Sequence, residues 1–148
     1  HPEFLKPQWD RFAEVWHDEH GTELAPGEQR MMIANIRVGD TRQKAIDAAR
    51  PAFDEHWKFL APYGRTVGFM GPDGNPAPKG WLPRLEDAME QGMALVGTAD
   101  DVATQLHERV DHLGAQNVTI FPMCLGDPYA KYQEQISRIA EDVLSTFG

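Results

Sequence analysis

Two strand-length runs of apolar and β-branched residues, RMMIANIRV at 30–38 and NVTIF at 117–121, are each followed by a segment with helical features. That alternation constrains the fold more than any other feature of the sequence. Strands that alternate with helices pair in parallel through right-handed crossovers, which predicts an α/β architecture. Parallel strands also need cover on both faces and a neighbour on each edge. Two strands alone do not meet those needs, so the sheet they predict is incomplete.

The helical segments carry recognisable start and stop signals. The stretch VGTADDVATQLHERVDHLG at 96–114 has Thr98 as N-cap, Asp101 at the capping-box position and Gly114 as the stop, with Val102, Leu106, Val110 and Leu113 forming one apolar stripe beside Ala99 and Ala103. Asp40 or Thr41 caps a helix through 41–60 in which Ala45, Ala49, Phe53 and Leu60 face inward. Pro51 lies inside it, and an interior proline costs about 3 kcal/mol, so two helices meeting near Arg50 are predicted. A first helix at 7–20 places Phe12, Val15 and Trp16 on one side, and a turn follows at Pro26 and Gly27. The chain opens without an initiator Met in what reads as a helix, as if entered in the middle. A short helix is predicted at 84–92. The segment at 127–147 reads as a closing amphipathic helix with Tyr132, Ile136, Ile139, Ala140, Val143, Leu144 and Phe147 on one face.

Between these lies 62–83, rich in glycine and proline and without periodicity. It reads as a long surface excursion, with Tyr63, Phe69 and Trp81 giving it apolar surface to lay over something. Loops of this length in compact domains are usually functional or disordered.

Composition sets further bounds. The 148 residues, 41% of them hydrophobic, can bury one sizeable core without a disulfide or metal, so 1–148 reads as a single segment. Fourteen basic against 23 acidic residues give a formal charge of −9, which disfavours nucleic acid and anionic membranes as partners. No stretch approaches the ~20 apolar residues of a membrane span. The one cysteine, Cys124, excludes an internal disulfide framework and fits a reducing, cytoplasmic compartment.

Metal and nucleophile motifs are weak. HERVDH is one residue longer than HExxH, so His107 and His112 would stand ~140° apart around a helix at ~100° per residue, too far for one ion. His17 and His20 in HDEH share neighbouring helix positions, but a polar helix end has the same letters. Cys124 lacks a paired histidine motif and reads as a small buried residue. No metal site is expected.

The run VGDTRQKAIDAARPAF after the first strand, followed by LVGTADDVATQLHERVDHLGAQNVTIF and a last amphipathic helix, resembles the C-terminal part of the bacterial luciferase-like, flavin-dependent monooxygenases. The resemblance covers most of the chain outside 62–83 and the first 25 residues, and it rests on order and spacing rather than on one motif. It implies a partial TIM (β/α)8 barrel, the last two parallel strands with their surrounding helices, in a protein using FMN or a deazaflavin on a small organic substrate. A whole barrel takes about 250 residues. The chain is therefore expected to be a fragment of a longer flavin-dependent oxidoreductase, inactive alone, or a non-catalytic subunit that pairs with a missing barrel half or an oligomeric partner.

Strand parity then selects side chains. Met32, Ala34, Ile36 and Val38 should face helices, and Ile33, Asn35 and Arg37 the barrel axis, polar towards the C-terminal end where barrels place their chemistry. Likewise Val118 and Ile120 should face helices, and Thr119, Phe121 and Met123 the axis. The resemblance thus implies Asn35, Arg37, Phe121 and Met123 at the substrate and Thr119 and Arg65 at the cofactor, with 63–81 a mobile cover and the catalytic residues outside the chain. Some members of that family carry a histidine and an arginine on this strand, where Asn35 and Ile33 stand here. A structural reading stays open: Asn35 and Thr119 filling polar layers, Arg37 bridging to a neighbouring loop, Arg65 solvated.

Overall fold

A computed structural model describes residues 1–147. The elements are α1 (Pro2–His20), β1 (Met31–Val38), α2 (Arg42–Leu60), α3 (Leu85–Glu90), β2 (Leu95–Gly97), α4 (Ala99–Leu113), β3 (Asn117–Pro122) and α5 (Tyr129–Arg138). The three strands form one parallel sheet in the order β2-β1-β3. The α/β class and the parallel pairing of the two expected strands hold. The third strand, β2, was not expected: three residues are too few to show a period.

The β1–β3 ladder runs from Met31 opposite Asn117 to Ile36 opposite Pro122, and β2 joins the other side of β1 from Ile36 opposite Leu95 to Val38 opposite Gly97. Alternation along β1 divides the molecule into two cores. Met32, Ala34, Ile36 and Val38 pack with Val102, Leu106 and Leu113 of α4 and with Ile139 and Val143 after α5. Leu106 and Leu113 are each 1% exposed, and burying such a side chain contributes about 1.5–3 kcal/mol. Thr98 and Asp101 close a full capping box on α4, and Gly114 ends it at φ 62°. On the opposite face α2 and α3 pack Ala45, Ala49, Phe53, Leu85 and Ala88 against Val96 and Met123.

Four expectations change. First, α1 starts at Pro2 rather than 7, and it docks through Leu5 and Trp9, while Phe12 and Val15 face solvent at 45% and 41% exposure. The guanidinium of Arg30 lies 5.5 Å over the Trp9 ring, which favours that side. Second, α2 is one helix through Pro51. Pro51 and Asp47 both lie on its exposed side, so the Asp47 carbonyl that loses its helical donor faces water.

Third, the 62–83 segment, largely exposed as expected of a surface excursion, is anchored in the core rather than laid over the candidate site. Thr66, Phe69 and Ala77 are buried, Phe69 packs edge-on against Trp57 with centroids 4.8 Å apart, and Met70 pairs antiparallel with Pro76. The Gln91 side chain accepts from the Met70 N–H and donates to its carbonyl, both at 3.0 Å. The aromatic that was to lie over a site is itself the centre of the second core. Fourth, the closing helix turns a different face inward. Ile139 and Val143 are buried, but Tyr132, Ile136, Leu144 and Phe147 are 37–43% exposed and Gln135 takes an inner position at 5%. A π turn over Ile139–Val143 and a 3-10 turn over Leu144–Phe147 break the regular period on which the expectation rested.

Candidate functional site

The face of the sheet carrying Asn35, Arg37, Thr119, Phe121 and Met123 is the candidate site, and only its C-terminal half is covered. There α2 lies over Val96 and Met123. The other half is open: Met31 and Ile33 are 56% and 61% exposed, and Phe121 is 44% exposed. The free edge of β3 borders the same region, because β3 pairs only with β1. Thr119 is exposed there, its hydroxyl 3.5 Å from the Met31 sulfur.

At the boundary between covered and open halves sits a small apolar notch lined by Asn35, Phe53, His56, Trp57, Phe121 and Met123, among others. The parity argument therefore brings together Asn35, Phe121 and Met123, as expected. His56, which the sequence did not single out, joins them from α2, its ring 5.4 Å from that of Phe121. Burial lowers its pKa below the ordinary 6.5. Asn35 donates from Nδ2 to the Met93 carbonyl at 3.0 Å, so its amide is already committed to holding the lead-in to β2.

Arg37 is not part of this notch. It is 5% exposed, and its Nη1 donates to the Met123 carbonyl at 2.9 Å, the Cys124 sulfur at 3.1 Å and the Asp127 carboxylate at 2.5 Å. It bridges the end of β1 to the loop after β3, which is the structural role left open for it. Asp127 was missed because a carboxylate before Pro128 reads only as a helix-start signal. Arg65 is exposed on the 3-10 turn Arg65–Gly68, with Thr66 rather than Arg65 turned into the core, and it does not line the notch. Cys124 is buried at 6% exposure, and burial raises its thiol pKa.

The histidine motifs disperse. His107 Nε2 lies 3.0 Å from the Thr146 hydroxyl and its ring stacks on Phe147 at 3.7 Å, while His112 lines a separate cleft with Glu108 and Arg109. His20 stacks on Trp16 at 4.1 Å. Among the described residues no group of three or more His, Cys, Asp or Glu side chains is placed to hold a metal ion, and no helix is long and apolar enough to cross a membrane.

A flavin does not fit the notch. Its cavity volume is about 20 Å³, room for roughly one water. Thr119 and the Asn35–Phe121–Met123 group present a wall rather than an enclosure. No family model matches the chain, and no curated protein is significantly similar to it.

Proposed function

We propose that this chain is the C-terminal portion of a luciferase-like flavin-dependent oxidoreductase, in which β1 and β3 correspond to the last two strands of its (β/α)8 barrel, with the β2-β1-β3 order and the placement of α2 on the inner face as departures from a regular barrel. One observation carries the reading: half of a parallel sheet face, with Met31, Ile33 and Phe121, is open to solvent and borders a free strand edge. Parallel sheets are covered on both faces, so a further part of the protein is needed to bury this one, and the free edge of β3 is where further strands would add. In the whole protein Asn35, Phe121, Met123 and His56 would form one wall of the pocket for a small organic substrate, with Thr119 below them. α2 and the packed 62–83 segment would flank the mouth as fixed structure rather than as a lid. The cofactor contacts, to FMN or a deazaflavin, would come from the missing strands, and no step of the chemistry is assigned to residues of this chain.

A second reading is favoured by the strand order. β1 lies between β2 and β3, and α2 and α4 lie on opposite faces of the sheet. That is how an open, doubly wound sheet begins, and in it the chain is a non-catalytic subunit whose free face pairs with another chain.

Purification of the protein from its native source separates the two. A chain longer than 148 residues with flavin absorbance in the visible range supports the oxidoreductase reading. A colourless, stable species of 148 residues overturns it in favour of the subunit. Titrating the 148-residue chain with FMN supplies a check on the division of labour: saturable quenching at low micromolar concentration would refute the assignment of cofactor contacts to other segments.

A further inference from the structure

A second crevice opens at the C-terminal end of the sheet, where β1 leads into α2 and α5 packs alongside. Its lining includes Arg37, Gly39, Lys44, Lys131 and Arg138, with Asp40 and Glu134 as the acidic members. Four of the chain's 14 basic side chains thus converge on one place in a molecule of formal charge −9. The first turn of the 19-residue α2 adds the positive end of its dipole. Connections leave β1 and β3 onto opposite faces here, which in the open-sheet reading is where parallel sheets hold their ligands.

An independent feature points to what would sit there. Arg37 makes every one of its hydrogen bonds through Nη1, and its buried Nε–H has no partner. A buried N–H left unpaired costs about 1–3 kcal/mol. In a guanidinium, Nε–H and one N–H of Nη2 point the same way along one edge and bind two oxygens of an oxyanion side by side. Lys131, on the rim, forms no ion pair among the described residues. Asp40 is held by Lys44 and Arg138, each at 3.2 Å, so an entering anion meets those two cations with one carboxylate between them.

We propose that this crevice binds a phosphate monoester group, with the Nε/Nη2 edge of Arg37 as the fork and Lys131 as the rim charge. The cavity volume of about 230 Å³ admits such a group. Nε is buried without a partner, so the fork forms when the guanidinium gives up its Met123 and Cys124 contacts to the anion and turns about Asp127 towards the crevice. The inference uses only residues of this chain and stands apart from the flavin reading.

The test is a ¹H–¹⁵N NMR titration of the 148-residue chain with inorganic phosphate, following the Arg37 Nε–H signal. Expected is a saturable downfield shift at constant ionic strength. Arg37→Lys keeps the charge and loses the fork, so it should weaken binding, followed on neighbouring amides, by about tenfold or more. Lys131→Ala, an exposed change that leaves the fold intact, should weaken it by a smaller factor. No shift of the Nε–H signal, an equal shift with chloride, or equal affinity for acetate would each overturn the assignment. Unchanged phosphate binding in Lys131→Ala together with Arg37→Lys would place the anion elsewhere.

Discussion

Gln135 offers the sharpest test of how this sheet is closed. The last bond of the β1–β3 ladder runs from the Met123 N–H to the Ile36 carbonyl at 2.9 Å, and the Met123 carbonyl is taken by the Arg37 guanidinium. Beyond it, the N–H and carbonyl of Val38 point towards the space β3 has vacated. Gln135 of α5 fills it: its Oε1 accepts from the Val38 N–H at 3.0 Å and its Nε2 donates to the Val38 carbonyl at 2.8 Å. Val38 is 2% exposed and Gln135 5%, so water is no substitute. Replacing Gln135 by Met keeps most of the volume and removes both bonds. Each orphaned backbone group costs about 1–3 kcal/mol, so the pair should cost about 2–6 kcal/mol, a large share of the ~5–15 kcal/mol that holds a typical domain together. Glu134→Ala, one residue away and exposed, should stay within about 0.5 kcal/mol. Urea unfolding followed by circular dichroism reads the difference as a lower midpoint at unchanged slope, and hydrogen exchange should show lost protection at the Val38 amide. A Gln135→Met protein as stable as wild type, with Val38 still protected, would refute the idea that this side chain continues the ladder.

Phe69→Ala should cost about 3–5 kcal/mol, as for a core aromatic; a loss below about 0.5 kcal/mol in the same urea experiment would restore the loose cover in place of a packed wall. His56 has a folded-state pKa lowered by burial from the ordinary 6.5, so the unfolded chain binds more protons once pH falls through that value. Stability should therefore be complete above about pH 7 and fall as pH drops below about 6.5, and His56→Gln should flatten that part of the profile; an unchanged slope in the variant would show that another group titrates.

Much of the local structure was legible in the sequence alone. Thr98, Asp101 and Gly114 bound α4 because caps act through the few residues at each helix end, and the alternation in MMIANIRV sorted β1 into a helix-facing row and a site-facing row because a strand has a period of two. The same parity brought Asn35, Phe121 and Met123 to one notch. What the sequence did not decide depends on contacts between distant segments. β2 is three residues long and exists because β1 offers it a ladder. Phe69 was read as cover and is core, since only the fold brings Trp57 and Ala77 to it. Arg37 was read as facing a substrate, and its nearest carboxylate lies 90 residues away in the chain, on the loop after β3. Gln135 looked like any polar helix residue until α5 was laid beside the end of β1. Hydrogen-bond partners and burial of this kind are properties of the packed chain, because a side chain's surroundings are set by which elements meet and not by its neighbours in sequence.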